Sequence, residues 1–391
     1  MKSLKTSLSL FQMTFLGVGT MVGAGIYVLV GKVAGISESL SLWAFIAAAV
    51  IVSFSAYCHG FLAKHIPSSA GAAEYVQRAF RSSKLTLIVG LGVLLTGVVS
   101  SATLANGFYG YLIEFFILPK WLVISGVTII LFAIASQAVT TSVNFAVGIT
   151  ILELLGLIIV IVFSKSGQFE PDLQLPSISL SDFHIVMAGA FVAFYAYVGF
   201  EDMVNMAEEV KRPEKTMLPA VMFALVITTI LYLMVAWVAL HSLPINELAK
   251  SDAPFADMLS HTPWLAKSIS VIGLIAIING ALVQILMGSR MLFGLSRDGR
   301  LPTFLNKLNS KQIPLNATIF VSALVLIFAL AFPLLTLAKL TSGIILIVFT
   351  LVNVSAVVIA TQKEKYYVAA IALIGAMLCM LFVVSGVSGG H

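Results

Sequence analysis

Apolar runs of about twenty residues recur along the whole chain, and a run of that length is what a helix needs to cross the hydrocarbon core of a bilayer. Eleven segments qualify: residues 10–33, 42–62, 85–112, 121–138, 145–163, 185–206, 218–240, 269–295, 317–335, 340–360 and 367–384. Backbone in lipid must satisfy its own hydrogen bonds, so such segments cross as helices. Composition closes the soluble alternative. The chain is 60% hydrophobic and 10% charged, against roughly 45–50% and 25% in soluble domains. It cannot cover a water-facing surface. The expected fold is an all-α integral membrane protein with about eleven transmembrane helices. Only Thr336 to Lys339 divide the ninth run from the tenth. The first run continues too far to be the apolar part of a signal peptide and has no cleavage site after it, so it reads as the first spanning helix.

The net charge of +5 would suggest a nucleic-acid partner in a soluble protein. Here it follows from where the cations fall. With the N-terminus in the cytoplasm, 16 of the 22 Lys and Arg lie in inside segments and 6 in outside ones. This is the bias expected of cytoplasmic loops, so no nucleic-acid partner is expected. The C-terminus then faces outside a cell membrane. The longest polar stretches, 165–184 and 241–267, are too short for a soluble catalytic domain, which leaves a single membrane domain over 1–391. Cys58 and Cys379 lie inside apolar runs and read as small buried hydrophobes. The six histidines show no metal-ligand spacing, with His59 and His65 six apart. No metal or cofactor is expected. No His-Glu-x-x-His, Ser-His or paired-Asp set occurs at mid-membrane, so the chain does not read as an enzyme.

Two spans carry helix-breaking features. The first holds Gly17, Gly19, Gly23 and Gly25 within nine residues, each costing about 1 kcal/mol against alanine in a helix. One reading is close packing of helices through small residues. The other is an unwound stretch, tolerable at mid-membrane only where it lines a cavity or binds a ligand. Its N–H groups would suit an anion such as a carboxylate. The sixth span offers a second weak point, from Tyr195 through Tyr197, Gly199 and Glu201 to Asp202. Interrupted helices five spans apart point to a transporter built from two inverted halves. Residues 10–163 would form the first half, 185–360 the second, and 367–384 an additional helix outside the repeat.

At these positions the residues resemble the amino acid–polyamine–organocation superfamily. Thr20-Met21-Val22-Gly23-Ala24-Gly25-Ile26 looks like its first-helix glycine-rich motif. Gly199-Phe200-Glu201-Asp202, followed by Glu208 to Pro213 and by Pro219, is similar to its sixth-helix and loop signature. Ser296 to Pro302 resembles its Arg-Asp-Gly-x-Leu-Pro loop. The first motif alone is weakly specific, but three in order at the matching spans are strong. The chain departs in two places. Many members have twelve spans, and the loop Pro67 to Gly71 keeps only part of a Pro-x-x-Gly-Gly pattern.

The resemblance implies a five-plus-five inverted-repeat fold with broken helices 1 and 6, and an amino acid bound between them. Its carboxylate would meet N–H groups of Val22, Gly23, Ala24 and Gly25, around Thr20. Its ammonium would meet carbonyls near Val18, Gly19, Tyr195, Ala196, Tyr197 and Val198. Tyr195 holds the position of an aromatic that closes over substrate in relatives.

Other polar residues lie in apolar spans. Glu153, central in span five, either exchanges a proton during transport or makes a structural hydrogen bond between helices. A carboxylate there is costly unless paired. Glu201 either serves coupling or gating, or caps unwound backbone. Asn106, Asn279 and Gln284 read by default as helix–helix hydrogen bonds, with Asn279 a candidate to touch ligand. Span eight has no adjacent Ser/Thr pair near its middle, which disfavours the sodium site of the wider fold and leaves a proton as the first choice of driving ion. Exchange without coupling is the alternative. The expected function is secondary transport of amino acids, neutral ones ahead of cationic amino acids and polyamines. A transport-inactive membrane sensor is the competing class.

Overall fold

The computed structural model describes residues 8–23, 25–68, 71–137, 143–164, 179, 182–310 and 312–388. Among them the regular elements are sixteen α-helices with short 3-10 turns between. The single β-type contact is one bridge between Leu8 and Val210.

The first apolar run forms two helices, α1 (Leu10–Val22) and α2 (Gly25–Ser37). Ser9 caps α1 through a reciprocal box with Gln12. A 3-10 turn carries α2 almost directly into α3 (Ser41–His65). The amphipathic α4 (Gly71–Phe80) follows, then α5 (Ser83–Leu112), α6 (Lys120–Ala135) and α7 (Val143–Phe163). The sixth run is also split, into α8 (Phe183–Ala196) and the short α9 (Phe200–Val204). Next come α10 (Pro213–Ser242), α11 (Ile245–Lys250), α12 (Pro254–Met258), α13 (Pro263–Arg297), α14 (Leu315–Ala331), α15 (Leu334–Gln362) and α16 (Tyr366–Ser388).

By length and apolarity, eight stretches among the described residues qualify as membrane spans, one of them the joined α2–α3 stretch. Helices α1, α6 and α14 are shorter apolar helices. The molecule is a multi-helix membrane protein. Two features differ from the sequence reading. The ninth and tenth runs are separate helices, but they divide at Phe332–Pro333. Pro333 has no N–H to continue α14 and suits the start of α15. Thr336 to Lys339 lie inside α15. The polar stretch 241–267 is not bare loop, since it holds α11, α12 and the start of α13. Lys2, Lys5, Lys165 and Lys311, counted for orientation, lie outside the described residues.

Two packed groups frame the interior. Helix α3 runs along α10 and α8, and α1 packs on α10 and α7. Helix α5 runs along α13, α15 and α14. Small residues set the close approaches. A side chain at Gly107 would strike Val28, and one at Gly273 would strike Tyr111. Helix α16 lies against α15 and α3. There Asn353 donates to the Ser55 hydroxyl at 2.9 Å, beside buried Cys379.

Candidate site at the two helix breaks

The breaks in the first and sixth runs touch. A Cβ at Gly25 would lie 2.4 Å from Ala196 Cα, and one at Gly199 would lie 2.5 Å from the Thr20 carbonyl oxygen. Only a residue without a side chain allows either contact. Gly199 also holds φ +131°, a region nearly closed to other residues.

Neighbouring groups pin the broken backbone. The Tyr232 hydroxyl, from α10, lies 2.7 Å from both the Met21 and Ala196 carbonyl oxygens and shares its one proton between the two breaks. The Glu201 carboxylate accepts the Gly199 N–H at 2.8 Å. That bond is of the kind a cap on unwound backbone makes, one of the two roles left open by the sequence. The Tyr195 carbonyl accepts the Val198 N–H at 3.0 Å, closing the turn.

Beside the breaks is a small cavity lined by Thr20, Met21, Gly25, Ser100, Leu104, Tyr195, Val198, Gly280 and Gln284. Its volume is about 20 Å³, room for one water. None of its lining residues is charged. Tyr195 closes one wall, its hydroxyl 3.0 Å from Ser100 Oγ. Gln284 closes another, donating from Nε2 to Asp202 Oδ2 at 3.0 Å. Helix α2 starts at Gly25 on the cavity wall, and first-turn N–H groups have no partner within their own helix.

Of the residues expected to bind substrate, Thr20, Gly25, Tyr195 and Val198 line the cavity. Val18 and Val22 are buried in α1. Gly23 differs from expectation. It ends α1, and its N–H already donates to the Gly19 carbonyl at 2.9 Å. One further helical bond forms before the break, so neither group is free as read. Ala24 lies outside the described residues. The Tyr197 side chain turns away, its hydroxyl donating to the Phe45 carbonyl at 3.4 Å.

Asn279 does not line the cavity. It pairs with Glu153 instead, Nδ2 donating to Oε1 at 3.4 Å. Glu153 is fully buried, and a Cβ at Gly23 would come 3.1 Å from its Oε1. The carboxyl thus stands directly behind the break in the first run. Its Oε2 has no partner among the described residues. Tyr27 of α2 donates to the Glu153 main-chain carbonyl at 2.8 Å. The residue therefore joins α2, α7 and α13 at one point.

Sequence reasoning missed Met21, Ser100, Leu104 and Gly280 as cavity residues, and Tyr232 as the tie between breaks. Gln284 carried a signal, a lone amide in an apolar span, but it read as helix packing. Asn106 does make a helix–helix bond, donating to the Ala329 carbonyl at 3.0 Å. A larger groove of about 530 Å³ opens between α3, α7 and α10. It is lined by Leu42, Ile46, Ile161, Leu233, Met234, Trp237 and Val238, a surface suited to acyl chains and not to a zwitterion.

Broken membrane helices meeting at a small polar cavity point to the membrane-transporter class. The amino acid permease family model matches residues 8–388. The chain belongs to that family, within the amino acid–polyamine–organocation superfamily. It is 26% identical to a branched-chain amino acid permease of Bacillus subtilis, over 93% of this chain and 82% of that protein. It is 27% identical to a methylthioribose transporter of the same organism, over 98% and 89%. It is also 28% identical to the vacuolar cationic amino acid transporter 4 of Arabidopsis thaliana, over 91% of this chain and 63% of that protein. Membership and relatives together support amino acid transport.

Proposed function

We propose that the protein is a proton-coupled carrier of neutral amino acids in a cell membrane, with its N-terminus in the cytoplasm. The observation that carries this reading is the uncharged cavity where the two breaks touch. Backbone groups there suit the parts every α-amino acid shares. The α-carboxylate goes to the N–H groups at the start of α2. The ammonium goes to carbonyls at the end of α1 and in the turn after α8.

A cavity of about 20 Å³ cannot hold an amino acid. The helices must part to admit one, on one side and then the other, which is alternating access between two halves. The reading keeps eleven spans, with 10–163 and 185–360 as inverted halves and 367–384 outside them. Glu153 supplies a coupling group. A buried carboxyl with one oxygen unpaired, set against the moving break, is a place to take up and release a proton. Glu201 gates by holding the turn at Gly199.

Purified protein in detergent, melted against a panel of amino acids, amines, polyamines and methylthioribose, tests this. A true ligand at 100 times its dissociation constant stabilises by about 2.7 kcal/mol. Stabilisation by α-amino acids, and not by their decarboxylated amines, supports the site. Stabilisation by polyamines or methylthioribose alone would refute the carboxylate assignment.

A further inference from the structure

Two carboxylates stand in the sixth run beside a cavity that has no charge on its wall. Glu201 is spent on the Gly199 N–H at 2.8 Å. Asp202 is buried, at 7% exposed, and it does not line the cavity. Between Asp202 and the cavity stands Gln284, whose Nε2 donates to Asp202 Oδ2 at 3.0 Å and whose side chain is cavity wall. The helix carrying Gln284 is held close at this level, since a Cβ at Gly97 would lie 3.3 Å from the Gln284 Oε1. One amide both fills the gap and occupies the carboxylate with a donor.

We propose that Gln284 is the residue that excludes cationic side chains, by screening Asp202 from the substrate cavity. The inference rests on the cavity being the amino acid site. A buried carboxylate takes the strongest donor within reach. While Gln284 is present that donor is its amide, and a substrate side chain meets a neutral surface. Were the side chain at 284 short, Asp202 Oδ2 would lose its donor and face the cavity. A lysine, ornithine or arginine side chain would then be its best replacement partner. A single position thus sets the choice between neutral and cationic substrates within one scaffold. Specificity here comes from withholding a charge as much as from supplying contacts.

The test is uptake by the full chain in proteoliposomes, comparing lysine and ornithine with alanine and leucine. Wild type is expected to favour the neutral pair. Gln284→Ala is expected to raise the ratio of cationic to neutral uptake by about tenfold or more, the least effect of a newly available close charge pair. Adding Asp202→Asn to that variant is expected to remove the gain, because the charge is gone while the space remains. Gln284→Ser repeats the comparison if the alanine variant is not produced folded. Variants that carry neutral amino acids with an unchanged ratio would overturn the inference and leave the site reading intact. So would a gain that survives Asp202→Asn, since space alone would then explain it. A wild type that carries no amino acid at all would bring down the site reading and this inference with it.

Discussion

At Gly199 the backbone and its surroundings make the same demand. The φ of +131° costs a side-chain-bearing residue about 1–3 kcal/mol, and a Cβ would also lie 2.5 Å from the Thr20 carbonyl oxygen. Gly199→Ala should therefore lower the melting temperature and abolish uptake, because α1 must move to make room. Tyr232 is the second key residue. Its hydroxyl serves the Met21 and Ala196 carbonyls at 2.7 Å each. Tyr232→Phe strands those acceptors and should cost about 1–3 kcal/mol, read as a drop in melting temperature with uptake impaired. Glu153→Gln keeps the volume and the contact with Asn279 but holds no exchangeable charge. Wild-type uptake should rise as the outside is made more acidic, since a proton enters with substrate. In Glu153→Gln that dependence should vanish while ligand-induced stabilisation persists. Uptake by the variant that still tracks pH would remove Glu153 from coupling.

The glycine-rich break and Glu153 were legible in the sequence because each is costly in a lipid-crossing helix and so needs a reason, and Tyr195 because it holds a marked position in the family resemblance. Tyr232 was not, since a tyrosine in an apolar span costs little and gives no hint that its hydroxyl reaches two breaks. Asn279 and Gln284 are both lone amides of one helix, and the sequence made Asn279, not Gln284, the candidate to touch ligand. Only the packing of α13 against α5 and α7 sends one to Glu153 and the other to Asp202 and the cavity.

Among the elements, the long apolar helices follow directly from hydropathy, and the short polar ones do not. Helix α11 holds only six residues, too few to show a periodic apolar face, so the stretch holding it read as a loop. It sits on α2 because Gly31 and Gly35 leave it room. Side chains there would meet the Leu248 carbonyl oxygen at 2.2 Å and Ala249 Cβ at 2.5 Å. Lys32 fastens it, donating to the Ala249 and Ser251 carbonyls at 3.0 and 2.8 Å. The Asp252 carboxylate at 3.5 Å is half exposed and adds little. Lys32→Met keeps the apolar stem and removes the donors, each worth about 1.5–3 kcal/mol when charged. A cysteine placed at Ala249 should then react faster with a soluble maleimide than in the wild-type background. An unchanged rate would mean that glycine packing alone holds α11. The helix end at Pro333 was also readable in principle, since proline opens helices more readily than it continues them. Apolarity on both sides masked it, and the polar residues Thr336 to Lys339 drew the boundary a turn too late.

For the whole molecule, the decisive property is that a small uncharged cavity lies where two interrupted helices touch, between the group around α3 and α10 and the group around α5 and α13. Membership of the amino acid permease family fits that geometry, and the relatives named above differ in the solutes their names give them. On the function proposed here, the frame supplies the recognition of the groups that α-amino acids share, and a few wall residues supply the choice of side chain. The most direct measurement is uptake of labelled amino acids into proteoliposomes holding the purified full chain, with a matched set of compounds lacking the α-carboxylate or the α-amino group as competitors. The account predicts saturable uptake of neutral α-amino acids, blocked by other α-amino acids and not by either truncated set. Uptake inhibited equally well by the decarboxylated amines, or none across the panel, would contradict it.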